Sequence, residues 1–418
     1  MKMVASTDIK FYVHSNNNAP QLLNAYGSMI GVLDACLVNG MSLGPVSTLT
    51  AVGTTVTAVF SNAHNLMQYQ ILKIAGTNQA EYNGEHRILT VPNATSVTFQ
   101  LASTPSATTA TGAITASLPP LGWEKPFSSS NVNGGGKAAY RSKNLLLPSR
   151  PFLRVVDELD PAYTATYAKF AKVGLVESMS DIDTMLGVQA PFDSTSPSKN
   201  WDATGSGTTV INGWARWYYA RPTNFGNSTA DSAAIPAGNR PWLIIGNEDF
   251  FYIFNGQGPS DSFRSSYMCG ALESIDRAFI LVSTLDNKAA NQSINTTYNL
   301  SLTYTSGASR FAVLLRKFNG GSHTSQILGG AAGVIQTSVM YSGASNYLDA
   351  ENVFCSDVLC VDSLSTFRGT FPCIKWVYQS RPKNDLEAFI IDGTVMLALN
   401  IFSYSNSGQI WLDLGVEV

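Results

Sequence analysis

The chain has 418 residues and a formal net charge of −3, with no basic run along it, which argues against a surface that tracks nucleic-acid phosphates. Charged residues make up only 13% of the sequence against about 25% in an ordinary domain, while the hydrophobic share of 44% is near the globular average. Ser, Thr, Asn and Gly fill the difference, and such uncharged polar groups lose less on desolvation than charges do. That suits a protein burying much of its exterior against neighbours, or a secreted bacterial β protein of similar make-up. The length predicts two or three domains. No continuous apolar stretch follows Met1, so a secretory signal is not expected. The late apolar run at residues 395–402 is too short to cross a bilayer, and as a strand it has little to blunt an exposed edge. The cysteines, Cys36, Cys269, Cys355, Cys360 and Cys373, are odd in number and scattered, which reads as reduced thiols of a protein made in the cytosol.

In chain order, residues 9–14 read as a short strand. Leu22, Tyr26, Met29, Leu33 and Leu37 then recur at spacings of three and four, which predicts a helix with one apolar face that stops at Gly40. From residue 46 to 120 the texture changes to short alternating runs, such as Val56, Ala58, Phe60 and Val97, Phe99, Leu101. Asn83-Gly84 and Pro92-Asn93 supply turns between them. Five or six strands in about 75 residues suit a small sandwich or barrel. The strand and helix before it are too few to complete a core, so the unit reads as an insertion. The expected division is residues 1–45 as part of the main body, 46–120 as the insert and 121–418 as the main β-rich body.

Gly134, Gly135 and Gly136 mark a loop or strand bend. Residues 145–148 and 152–156 read as buried strands, 161–172 as a short helix and 194–207 as a polar loop. Aromatic-rich runs follow at 214–219, 242–245 and 250–254. Further strands are expected at 279–283, 311–316, 353–362, 374–379, 389–391, 395–401 and 409–414. No repeat of 20 to 50 residues, heptad or Gly-X-Y tract is present, so a solenoid or fibre shaft is not expected.

Several stretches together resemble a family of virion structural proteins of tailed phages that infect Gram-negative bacteria. They are Phe11 with Val32-Leu33-Asp34-Ala35-Cys36-Leu37-Val38, an Ig-like insert carrying Tyr82-Asn83-Gly84-Glu85-His86-Arg87, Gly122-Trp123-Glu124-Lys125-Pro126-Phe127, and Ala139-Tyr140-Arg141-Ser142. Ser178-Met179-Ser180-Asp181-Ile182-Asp183-Thr184, residues 242–254 and Asp357-Val358-Leu359-Cys360-Val361-Asp362 fit the same pattern. The resemblance covers nearly the whole chain and departs at Ser15-Asn16-Asn17-Asn18, where a shorter turn is expected. It implies a particle component, often of tail or neck, and brings no catalytic residues.

Candidate chemistry is sparse. Asp181 and Asp183 would share a face on a strand and, helped by Glu177 and Asp193, could hold a hard cation, but the Gly-containing calcium-loop spacing is missing and a solvated edge fits better. Asp157, Glu158 and Asp160 precede Pro161 and could equally cap a helix. His14, His64, His86 and His323 stand apart from one another and from the cysteines, with no zinc spacing. Cys355 and Cys360 read as buried thiols. Gly40-Met41-Ser42-Leu43-Gly44 lacks the strand before and helix after its Ser that a nucleophile elbow needs. Ser196-Pro197-Ser198-Lys199 lies in a loop where a helix is required. Gly329-Gly330-Ala331-Ala332-Gly333 lacks the Lys-Ser/Thr of a phosphate cradle. Trp214, Trp217, Tyr218 and Tyr219 could stack on sugars, but a core or subunit-contact role suits them better.

The sequence therefore predicts a mainly β fold: a β-sandwich-rich body with an N-terminal helix and a small inserted Ig-like β domain. The expected function is that of a non-enzymatic structural component of a tailed-phage virion, assembled in the host cytoplasm, in the neck, tail or baseplate. No catalytic, cofactor-binding or metal-binding residue is expected, and no cofactor. The expected partners are other virion proteins and copies of the chain, with host-surface glycans held by the insert as a further candidate, without nucleic acid or membrane insertion. A capsid-decoration or host-surface-binding protein and a polysaccharide-degrading tail enzyme are the alternatives.

Overall fold

The computed structural model describes residues 6–206, 210, 212–221, 234–272, 278–285, 310–316, 322–328, 355–361, 367–377, 381–403 and 406–416. Strands dominate, as the alternating and continuous apolar runs predict, and they form a 13-stranded sheet, a closed six-stranded barrel and a 5-stranded sheet. One helix near the N-terminus and a turn of 3-10 helix at Ala80–Tyr82 complete the regular structure of the described residues.

The heart of the large sheet is the antiparallel series Trp242–Gly246, Phe250–Asn255, Ser265–Ala271 and Ala278–Leu285. The first two have continuous apolar sequences, WLIIG and FFYIFN, and every residue in them is buried. Continuous rather than alternating hydrophobicity is the mark of a strand covered on both faces. Ile244, Phe251, Ile253 and Tyr267 face one core, while Leu243, Ile245, Tyr252 and Phe254 face a second. That second core is closed by Val395, Leu397, Leu399, Ile410 and Leu412 of the five-stranded sheet, so the C-terminal part of the chain is a β layer packed on the body. Lys10–Val13 pairs with Trp242–Gly246, and the sheet continues on the other side through Ala215–Ala220, Lys169–Met179, Phe152–Glu158, Gly135–Ser142 and Trp123–Ser130.

The insert runs from Met41–Val52 to Gly112–Leu118 and closes as a barrel. Two long strands bend to serve both of its halves. Met41–Val52 pairs first with Gly112–Leu118 and then with Thr55–Phe60, and Gly84–Asn93 pairs with Ile71–Thr77 and then with Ser96–Gln100. Of the two architectures open from sequence, sandwich and barrel, the closed form is present. The barrel begins about five residues before the expected boundary at residue 46, because Met41 already pairs with Leu118. Its seat on the body combines apolar packing, with Tyr69 and Met67 in the second core, and polar bonds. Gln70 exchanges hydrogen bonds with Asn16 at 2.9 and 3.0 Å and donates to the Phe11 carbonyl, while Arg87 donates to the carbonyls of Ser6 and Leu414. The Asn-rich turn that departs from the resemblance is thus the turn that docks the barrel.

The helix starts at Ser28, later than the apolar spacing predicts, and continues as a π-helix over Asp34–Asn39. Leu22 lies ahead of it, bridged to Arg240. Met29, Val32, Leu33, Cys36 and Leu37 are buried. Gly40 ends the helix as expected, and a Cβ there would lie 2.6 Å from the Leu118 carbonyl. The first-turn N–H groups are capped from far along the chain: Asp157 Oδ2 accepts Met29 N at 3.0 Å and Ile30 N at 3.4 Å, and Oδ1 accepts the Tyr219 hydroxyl at 2.7 Å. The Asp157 carboxyl is fully buried, and that burial outweighs the hydrogen bonds and lifts its pKa to about 6.

Three expectations need correction. Residues 145–147 are not a buried strand: Leu145 and Leu146 are 79% and 91% exposed, because Asn144 Oδ1 takes Leu146 N into a turn and Pro148 cannot donate to a ladder. Residues 161–172 form no helix; turns lead into the strand Lys169–Met179, and Lys169 Nζ is held by the Ala165 and Tyr167 carbonyls. The run at 395–402 is not an open sheet edge either: one side pairs with Asn406–Val416, and on the other Ala388–Ile391 pairs with residues 394–397 while Leu386, Glu387 and Arg264 bond to Ala398 and Asn400.

Asp157 is more readily protonated folded, at about 6, than its ordinary 3.8, so its contribution is complete below pH ~4 and is lost as pH rises through 6. Urea melts of the wild type minus those of Asp157→Asn should show stability falling over that window by roughly 3 kcal/mol, and a flat difference would exclude this assignment. Replacing residues 42–117 by a short Gly/Ser linker should leave a soluble remainder that unfolds cooperatively at a lower midpoint, because Met41 and Leu118 are already neighbours while the polar seat and the barrel's apolar contacts with the body are lost. Loss of cooperativity in circular-dichroism melts would show that the barrel is part of the body's core.

Candidate functional site

The residues singled out from sequence are mostly occupied with structure. Asp181 Oδ1 accepts the N–H groups of Asp183 and Thr184, both at 2.8 Å, while Asp183 accepts Lys137 at 2.7 Å and Arg154 at 2.8 Å, so the two carboxylates are drawn into separate bonds. Asp193 is committed to Thr195 and Lys199, which hold it down at about 2. Among the described residues no group of three or more His, Cys, Asp or Glu is arranged to hold a metal ion. Cys36 and Cys269 are buried, which pushes both thiols up, and the Cys360 side chain lies outside the described residues. Burial lowers His14, His64 and His86. Ser42 is exposed on a strand rather than poised on an elbow, and Lys199 points to Asp193 and to the Trp214 ring, not to Ser196. Residues 329–333 lie outside the described residues. Trp217, Tyr218 and Tyr219 are core, with Trp217 stacked on Tyr267.

Two constellations remain. The first was invisible to local patterns. Ser149 Oγ lies 2.5 Å from His323 Nε2, and His323 Nδ1 lies 2.5 Å from Glu177 Oε1, across sequence separations of 174 and 146 residues. Glu177 sits on the strand Lys169–Met179, and His323 opens the strand His323–Leu328. Ser149 sits in the turn region that precedes Phe152–Glu158. The carboxylate is fixed on both oxygens: Oε1 also accepts His323 N at 2.9 Å, and Oε2 accepts Val188 N at 2.8 Å. Burial raises the Glu177 pKa, but the bonds from His323 and Val188 outweigh it, and the net shift is downward. Gly187 makes this approach possible, since at φ +72 a Cβ would stand 2.3 Å from Glu177 Oε2. Acceptance by the carboxylate places the ring proton on Nδ1 and leaves Nε2 free to accept from the hydroxyl.

The second is a pocket of about 410 Å³ bordered by Phe152–Glu158, Lys169–Met179, Met185–Ala190 and the 191–206 loop. At its wall Arg154, with its side chain 4% exposed, donates Nε to the Ile182 carbonyl and Nη2 to Asp183, both at 2.8 Å, and lies 4.5 Å over the Trp201 ring. Its Nη1 is buried and has no hydrogen-bond partner among the described residues. Lys172 reaches Asp160 at 3.2 Å and also the Trp201 carbonyl. Burial pulls the pKa values of Arg154 and Lys172 down, against the pull of the facing carboxylates. The lining carries three cations, Lys137, Arg154 and Lys172, against four carboxylates, Glu158, Asp160, Asp183 and Asp202. No strong net field of either sign therefore selects a charged ligand.

No protein-family model and no curated protein matches the chain. Among solved structures it is weakly similar to "Phage phi92 endosialidase", with 8% sequence identity, a TM-score of 0.16, and coverage of 90% of this chain and 52% of that one. The chain thus spans about half the length of that protein, and a likeness this slight carries no argument about fold or activity.

Proposed function

We propose that the chain is a structural component of a tailed-phage particle, in the tail, neck or baseplate, acting through contacts with other virion proteins and copies of itself. The observation that supports this most directly is the outer end of the large sheet. Trp123–Ser130 has a single partner strand among the described residues, and its Ser128, Ser129 and Ser130 are exposed without a charge among them. Beyond Glu124, Lys125, Pro126 and the bulge that protect its first half, this end carries neither charge nor proline, and such a stretch invites pairing in a free monomer, whereas a fixed neighbour in a particle covers it. The sparse overall charge supports the same reading, because few like-charge repulsions oppose close association. A reconstruction of the intact particle should show this chain in several copies, with the 123–130 edge covered and more than roughly 800 Å² buried per partner. A smaller total contact would favour a loosely tethered protein instead.

A second reading, a host-surface-binding protein, is favoured by the Arg154 pocket. Its volume suits a mono- or disaccharide, its charge is nearly balanced, and its lining sets the cations of Lys137, Arg154 and Lys172 among the Glu158 and Asp202 acceptors. Hydroxyl groups satisfy both kinds of partner. On this reading the glycan site lies in the body and not in the inserted barrel. Titration with neutral mono- and disaccharides should change Trp201 fluorescence, and Arg154→Met should weaken binding about tenfold or more by removing the donor. An unchanged affinity in that variant would remove the pocket from consideration.

A further inference from the structure

We propose that Ser149, His323 and Glu177 form an acyl-transfer site that cleaves carboxylic esters bearing a small acyl group. This goes beyond a structural role and does not depend on the assignment to a particle. The argument is geometric. A hydroxyl, an imidazole and a carboxylate are joined in series by contacts of 2.5 Å and 2.5 Å. The carboxylate is held by three N–H donors, from the His323 ring, the His323 backbone and the Val188 backbone. Nucleophile, base and orienting group in this relation are what serine acyl transfer requires, whatever the fold and whatever their order in the chain. An ordinary polar cluster also forms hydrogen bonds, but it has no need of a carboxylate fixed on both oxygens behind the imidazole. Nor does it need a glycine at 187 to admit that carboxylate.

The step balances with water as the only co-reactant. Ser149 Oγ bonds to the ester carbonyl carbon as its proton passes to His323 Nε2. The tetrahedral adduct collapses, the bond from the carbonyl carbon to the alcohol oxygen breaks, and the Nε2 proton leaves with the alcohol. Water then adds to the acyl-serine and gives a proton to Nε2, the carbon–Oγ bond breaks, and Oγ recovers its proton as the carboxylic acid departs. Ser149 and His323 are the catalytic residues, and Glu177 is a positioning residue that fixes the tautomer and stabilises the transient imidazolium.

The substrate class follows from what surrounds Ser149. Arg316 is the cross-strand partner of His323, and its guanidinium donates to the carbonyl of Pro148, next in sequence to Ser149. It sets a positive charge beside the residue that precedes the nucleophile, where it can favour a developing oxyanion. The 410 Å³ pocket is not lined by Ser149, Glu177 or His323, so it is not the substrate cleft of this site. Leu145 and Leu146, exposed at 79% and 91% on the same loop, offer an apolar surface for a short acyl chain. An ester, whose alcohol leaves more readily than an amine, suits a site with this modest equipment.

The test uses the full chain with a fluorophosphonate probe and with p-nitrophenyl acetate. A phosphonyl adduct should be found on the Ser149 peptide by mass spectrometry, and Ser149→Ala should lose hydrolysis by on the order of 10³-fold. Glu177→Gln should lower kcat with KM little changed and move the acidic limb of the pH–rate profile to lower pH, because the imidazolium loses its counter-charge; a purely structural role would not move that limb. The labelling of the wild-type chain decides the matter even where a variant folds poorly. Absence of an adduct on Ser149, an adduct only elsewhere, or equal turnover by a folded Ser149→Ala chain overturns the proposal.

Discussion

The buried carboxylate of Asp157 is the point at which the N-terminal segment, the helix and the large sheet are tied together. It lies on Phe152–Glu158, near the middle of one wing of the sheet, and reaches Met29 in the first turn of a helix 128 residues earlier in the chain. The helix is too short to be stable alone and brings no local side-chain cap, its entry residue being Gly27. An acceptor supplied by the sheet therefore substitutes for the missing cap, and it favours the helix only where the sheet is already formed. The close approach has its own condition. A Cβ on Gly135 would stand 2.0 Å from the Asp157 carbonyl, and a Cβ on Gly27 would stand 2.9 Å from Gly135 Cα. The glycine run that reads from sequence as a loop or bend is the surface on which the helix entry rests.

With the helix seated, the barrel's position follows. Gly40 turns the chain directly into Met41, whose pairing with Leu118 returns it to the Trp123–Ser130 strand of the same sheet. The helix and the barrel then cover one face of the central strands while the C-terminal layer covers the other. This explains why so few charges are tolerated and where they go. Arg154, Arg216, Arg240 and Arg264 are buried, and each is matched by a carbonyl or a carboxylate. Buried cations of this kind give geometry more than stability, because their desolvation offsets much of what pairing returns.

Periodicity made the β architecture, the insert and the core aromatics legible, since strands report their burial through the alternation or continuity of apolar residues. Gly40 was legible as a helix stop for the same local reason. What failed was what long-range partners decide. Leu145-Leu146-Leu147 has the hydrophobicity of a strand, but Asn144 and Pro148 at its ends deny it a ladder. The 395–402 run looks like an exposed edge only until its two neighbours are known. Glu177 drew notice as a helper for Asp181 and Asp183, and His323 as an isolated histidine, because sequence gives no sign that a strand more than a hundred residues later sets an imidazole beside that carboxylate. The one local hint was Gly187, a glycine within a strand sequence, which often marks a close approach.

The absence of a catalytic motif in a β protein of this kind therefore says little about catalysis. A nucleophile elbow or a zinc helix is visible in sequence because one element carries several of the reacting groups at fixed spacing. In a wide antiparallel sheet each strand can contribute a single group, and the groups meet through register, not spacing. Ser149 precedes one strand, Glu177 lies near the end of the strand paired to it, and His323 comes from a strand reached through the far side of the sheet path. The same property lets one scaffold hold two roles without conflict. Outer strands meet neighbours through backbone edges, which are indifferent to side-chain identity, while side chains at strand ends are left to chemistry. An assembly protein built this way can keep a reactive site at a strand terminus at no cost to the edges by which it is held.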